Sequence, residues 1–288
     1  MPDSKKKIGV VTPAGRIERE LAGRVQALAV SLYGDAAPQI VFHPQCFESW
    51  GHFAGDDAAR AEAFIDVAND ETFDALWFAR GGYGSNRIAE TVLAGLKPSA
   101  RAKTYMGYSD GGFLLAGLYK AGFANVVHGP IPADFDRKGD HGAQGGAEAV
   151  TRALRYLTEG ASDTLEASVG QDGPLAAFNL KILSSLIGTP LQPNLAGHVL
   201  MLEEVSEYLY AIDRDFFHVT SNPEIRTVKG IRLGRVSDIP DNDPPFGQNA
   251  EEIARHWCAR SGIAYLGRAD IGHDTANKIV PFGRFTGV

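Results

Sequence analysis

Short apolar runs alternate with helical repeats through the first half of the chain. Ile8-Gly9-Val10-Val11-Thr12, closed by Pro13 and Gly15, predicts a buried strand and a turn. Leu21, Val25, Leu28 and Leu32 then recur at helical spacing, which predicts a crossover helix. The alternation continues with a strand over 39–42, a helix over 57–67, a strand over 73–78 and a helix from Ser85. A strand over 103–108, a helix over 111–120 and a fifth strand starting at Asn125 complete the series. Strands that alternate with helices predict a parallel sheet covered on both faces.

Residues 158–174, T-E-G-A-S-D-T-L-E-A-S-V-G-Q-D-G-P, break this pattern, being polar, glycine-rich and poor in large apolar side chains. They predict a linker between a first α/β domain over 1–157 and a smaller α/β domain over 175–288. In the second domain the pattern predicts helices over 179–187, 214–219 and 250–259 and strands over 198–205 and 230–236. A ligand cleft is expected between the domains or at their strand ends.

Composition narrows the function classes. The formal net charge of −7 over 288 residues argues against a nucleic-acid binder, which needs a clustered basic surface. The two cysteines, Cys46 and Cys258, form no CxxC pair, and no HExxH is present, so no metal or other cofactor is implied. No apolar run approaches the ~20 residues of a membrane helix. Met1-Pro2-Asp3 leads to the first strand without a signal-peptide core, so a soluble, cytoplasmic protein is expected.

Three stretches carry chemistry. Gly107-Tyr108-Ser109-Asp110-Gly111 matches G-x-S-x-G where a strand meets a helix, a turn that projects a serine hydroxyl. Ser109 or Asp110 could equally cap the helix that follows. Arg80-Gly81-Gly82-Tyr83-Gly84 ends the neighbouring strand; it lacks both the G-x-G-x-x-G spacing and a P-loop lysine. An oxyanion-binding N–H or a plain tight turn remain as its readings. Glu203-Glu204 ends an apolar strand, and Gly272-His273-Asp274 follows the last one. The order serine, acid, histidine on strand-end loops is one that a nucleophile–base–orienter triad permits.

The sequence resembles the serine peptidase family that contains the LD-carboxypeptidases of cell-wall recycling and the microcin C immunity peptidase. The resemblance rests on A-R-G-G-Y-G-S-N-R at 79–87, G-Y-S-D at 107–110 and H-G-P at 128–130. It continues with N-L-K-I-L-S-S-L-I-G-T-P at 179–190, L-E-E-V-S-E at 202–207, I-D-R at 212–214 and G-H-D-T-A-N-K-I-V-P-F-G at 272–283. These blocks run in order over nearly the whole chain. The resemblance implies Ser109 as nucleophile, His273 as general base, Glu203 as the acid that orients it, and the N–H groups of Asp110 and Gly82 as oxyanion donors. It also implies a flavodoxin-like N-terminal domain joined to a C-terminal domain of the family's own type, with the active site at their interface, and a homodimer. Two departures touch the substrate pocket: Ala14 stands where relatives often carry serine, and the serine motif continues D-G-G-F rather than D-I-T-A-L.

The expected activity is a serine LD-carboxypeptidase that releases the terminal D-alanine of a muropeptide tetrapeptide. The alternatives are an immunity-type amidase acting on aminoacyl-nucleotide analogues and, in another class, a non-catalytic binder of small ligands.

Overall fold

The computed structural model describes residues 5–137, 145–171, 173–285 and 287. The Met1-Pro2-Asp3 start, and with it the leaderless reading, lies outside them, as does Asp172 of the 158–174 stretch. The first half forms β1 (Lys7–Val11), α1 (Arg19–Tyr33), β2 (Gln39–Phe42), α2 (Asp57–Asn69) and β3 (Ala75–Phe78). It continues with α3 (Ser85–Gly95), β4 (Thr104–Gly107), α4 (Gly112–Lys120) and β5 (Val126–His128). The five strands are parallel in the order β2-β1-β3-β4-β5, the flavodoxin order. That order reverses between β1 and β3, and there the turns after β1, β3 and β4 gather at one carboxyl edge of the sheet. Ligands of open α/β sheets bind at such a reversal.

A helix absent from the sequence reading, α5 (Gly145–Glu159), covers the α1 face of this sheet. Its buried Ala149, Val150, Ala153, Leu154 and Leu157 have helical spacing. Its opening Gly145-Gly146 looks like a break, yet Gly146 is there for close approach: a Cβ would lie 2.1 Å from the Phe135 carbonyl oxygen.

The second half forms β6 (Leu175–Asn179), α6 (Leu180–Leu186), β7 (Val199–Val205), α7 (Leu209–Ser221), β8 (Gly230–Ser237), α8 (Ala250–Ser261) and β9 (Tyr265–Arg268). These four strands make a parallel sheet in the order β6-β7-β8-β9. The chain then returns to the first sheet, where β10 (Val280–Pro281) pairs antiparallel with β5. The 158–174 stretch is tied down rather than loose: Leu165 bridges Ile279, and Thr164, Glu166 and Ser168 are buried.

One apolar core crosses from the first domain to the second. It joins Phe64, Phe78 and Leu114 to Phe178, Leu202 and Phe282, while a second core lies on the α1–α5 face. Burial of shared apolar surface resists relative motion of the two sheets. A site built from both domains is therefore held by packed elements.

Candidate active site

Ser109 sits two residues past the end of β4 with φ +57°, a left-handed backbone that only three non-glycine residues adopt among the described residues. Strain of this kind persists where the surroundings over-determine it. Beside this turn lies Phe78 of β3. Its ring occupies the space a side chain would need at either glycine of G-x-S-x-G: a Cβ would lie 2.3 Å from Phe78 Cδ2 at Gly107 and 2.7 Å from it at Gly111. The two glycines let the turn close over that ring and lift the Ser109 hydroxyl away from the sheet. Gly81, from the turn after β3, abuts the serine itself, since a Cβ there would lie 2.9 Å from both Ser109 Cβ and Oγ.

Asp110 turns its side chain away from the cleft and is buried. Its carboxylate accepts hydrogen bonds from the N–H groups of Ser85 (2.8 Å) and Gly84 (3.3 Å) at the start of α3. Burial raises its pKa above the usual carboxylate value, with these donors opposing the shift. This acceptor ties the serine turn to the glycine turn. Arg60, buried beneath both loops, donates to the carbonyls of Pro13 and Gly84 and so adds the turn after β1.

The acid and the histidine come from the second domain. Glu203 and Glu204 are adjacent on β7, and both are buried. Glu203 Oε2 lies 2.5 Å from His273 Nδ1. Glu204 points the other way and accepts from Asn179 Nδ2 (2.6 Å) and from the N–H groups of Lys181 (2.9 Å) and Val205 (2.9 Å). Successive strand residues face opposite sides, so one glutamate reaches His273 while its neighbour anchors α6. The β7–β8 register shifts between Leu202 and Glu204, and Gly234 of β8 leaves room for Glu203, where an added Cβ would lie 2.8 Å from Glu203 Cβ. Burial pushes Glu204 up to about 7, against its three donors. Glu204→Gln keeps one oxygen acceptor and does not touch the cleft. It is expected to leave kcat/KM within about tenfold of wild type, roughly 1.4 kcal/mol, in a steady-state assay.

His273 Nε2 stands 2.9 Å from Ser109 Oγ. The hydroxyl, the imidazole and the carboxylate thus form one chain of contacts drawn from both domains. Burial lowers the His273 pKa, but the charge and hydrogen bond of Glu203 outweigh it, and the net shift is upward from 6.5. The turn carrying His273 has its own supports. Asn277 Oδ1 accepts from the Gly272 N–H at 3.2 Å, and Arg137 Nη1 donates to the His273 carbonyl at 2.7 Å. The Tyr108 ring lies 4.8 Å from the His273 ring, and its hydroxyl donates to Asp134 at 2.6 Å. His128, held by burial at a pKa of about 4 and so neutral, places Nε2 3.3 Å from Asn277 Oδ1.

Phe78, Gly234, Asn277, Arg137, Asp134 and Arg60 are supports that the sequence reading does not single out. Of these, only Asn277 falls in a stretch already marked, the 272–283 block; the others have no local signal.

Ser109, His273, Gly81 and Gly82 line a single cleft of about 880 Å³ beside the sheet reversal. Gly82 takes φ +112°, a conformation open to glycine, and faces the same space as the hydroxyl. A serine hydroxyl hydrogen-bonded to an imidazole that a buried carboxylate holds is an arrangement suited to acyl transfer. Among the described residues no group of three or more His, Cys, Asp or Glu is placed to hold a metal ion, and no helix is long and apolar enough to cross a membrane.

This is the architecture of a two-domain α/β peptidase. Residues 8–129 match the LD-carboxypeptidase N-terminal domain of peptidase family S66, and residues 172–288 match its LD-carboxypeptidase C-terminal domain. A putative carboxypeptidase of Streptomyces coelicolor is 30% identical over 288 residues, 96% of this chain and 88% of the relative. The murein tetrapeptide carboxypeptidase of Pseudomonas aeruginosa is 24% identical over 242 residues, 81% of this chain and 78% of that one. The chain belongs to the S66 LD-carboxypeptidase family.

Solved structures share the fold. Muramoyltetrapeptide carboxypeptidase from Oxalobacter formigenes superposes with a TM-score of 0.76 at 22% identity, covering 96% of this chain and 93% of that one. MccF in complex with glutamyl sulfamoyl guanosine superposes with a TM-score of 0.75 at 18% identity, covering 97% and 91%.

Proposed function

We propose that this protein is a serine LD-carboxypeptidase that removes the terminal D-alanine from muropeptide tetrapeptides. The observation that carries the reading is the contact chain Ser109 Oγ–His273 Nε2–Glu203 at the mouth of one cleft. The likeness to the murein tetrapeptide carboxypeptidase of Pseudomonas aeruginosa supports the substrate class. Glu203 accepts the Nδ1–H of His273, which leaves Nε2 to take the Ser109 proton. The serine oxygen attacks the carbonyl of the L-centre, and the N–H groups of Gly82 and Asp110 receive the oxyanion. His273 then protonates the departing amine, and water hydrolyses the acyl-enzyme by the same route.

The base works only when neutral. Because the His273 pKa is raised, kcat/KM should climb with pH through a midpoint above 6.5. A pH–rate profile on one tetrapeptide checks this, and a midpoint below 6.5 would contradict it.

A panel of tetrapeptides with an L,D or a D,D terminal bond, with products identified by mass, tests the reading as a whole. Release of D-alanine from the L,D peptide alone is expected. Cleavage confined to the D,D peptide, or of neither, would refute it.

A further inference from the structure

Three guanidiniums line the cleft, those of Arg24, Arg80 and Arg137. Two already have carboxylate partners. Arg24 Nη2 lies 2.5 Å from Asp136 Oδ1, and Arg137 Nε lies 2.7 Å from Asp134 Oδ1. Arg80 differs: among the described residues no carboxylate lies within ion-pair distance of it, and its guanidinium is tethered through Nη1 to the Arg16 carbonyl at 2.9 Å. Tethering one terminal nitrogen to a carbonyl restricts the side chain while leaving the Nε–Nη2 edge for a ligand. That edge offers two parallel N–H donors, the fork that matches a carboxylate.

Its place in the chain matters as much as its lack of an internal partner. Arg80 immediately precedes Gly81, the residue packed on Ser109 Oγ, and both line the cleft that holds the hydroxyl. In a carboxypeptidase the residue that leaves carries a free carboxylate on the carbon next to its departing nitrogen. A chain with a net charge of −7 gives that anion no general attraction, so a local cation has to hold it.

We propose that Arg80 receives the C-terminal carboxylate of the leaving residue and thereby restricts the enzyme to chain ends. The assignment rests on the carboxypeptidase reading above. Arg80 is a specificity-determining residue here, because it acts on the substrate's terminus and takes no part in moving protons.

The test compares one tetrapeptide as the free acid and as the C-terminal amide, with wild type, Arg80→Gln and Arg80→Lys, reading kcat/KM for each pair. Wild type should prefer the acid by roughly 10- to 100-fold, the scale of hydrogen bonds to a charged group. Arg80→Gln should bring that ratio close to one. Arg80→Lys, which keeps the charge but not the fork, should retain part of the preference and guards against a folding defect in the glutamine variant. An Arg80→Gln enzyme that keeps the wild-type ratio overturns the assignment and leaves the carboxypeptidase reading standing. A wild-type enzyme that cleaves neither peptide overturns both.

Discussion

Ser109→Ala is expected to lower kcat by about 10⁶ while leaving the melting temperature and peptide binding close to wild type. In the proposed mechanism the hydroxyl is the attacking atom, so what remains is the part supplied by oxyanion donors and by holding the substrate in place. The fold should tolerate the change. Alanine keeps the Cβ that serine already places at φ +57°, so the packing of Gly81 against residue 109 and of Phe78 beneath Gly107 and Gly111 is unchanged. Single-turnover kinetics with a sensitive product assay measures the residual rate. A variant that keeps a tenth of wild-type activity would rule out a serine nucleophile.

Glu203→Gln should lower kcat by roughly 10²–10⁴, with a smaller change in KM. In the proposed mechanism the carboxylate holds the Nδ1–H tautomer of His273 and stabilises the imidazolium formed during attack, an interaction that matters most in the transition state. The variant also carries a second signature. Glu203 is what raises the His273 pKa against the lowering effect of burial. Without that charge burial dominates, and the midpoint of the acidic limb should move down, below 6.5, even as the rate falls. A slow variant with an unmoved midpoint would mean that Glu203 supports the loop without acting on the imidazole.

The first domain is legible in the sequence because its strands are continuous apolar runs set between helices of clear period. Three of the elements that escape do so for identifiable physical reasons. The Leu175–Asn179 strand is short and alanine-rich, with weak strand propensity, and its burial on both faces removes any alternation. The 145–159 helix opens on two glycines that read as a break but serve a close approach to Phe135. The Val280–Pro281 strand is two residues long and exists only because β5 offers an open edge.

The site divides in the same way. Ser109 is marked by its motif, whereas Glu203 and Glu204 are equally apolar in context and equally buried, so periodicity could not separate them. Only the partner decides: His273 for one, Asn179 and the start of α6 for the other. Phe78, Gly234 and Arg60 shape the site through space, from strands and helices distant in sequence. A linear pattern records no such adjacency.

A competition experiment separates the two reactions open to this cleft. The enzyme is given a muropeptide tetrapeptide and a glutamyl sulfamoyl nucleotide together at equal concentration, and the loss of each is followed by mass. Relative consumption reports the ratio of kcat/KM values. The tetrapeptide is expected to disappear first, with release of D-alanine, and Ser109→Ala to abolish the loss. Preferential consumption of the nucleotide conjugate would contradict that expectation and assign the cleft to the immunity-type amidase reaction.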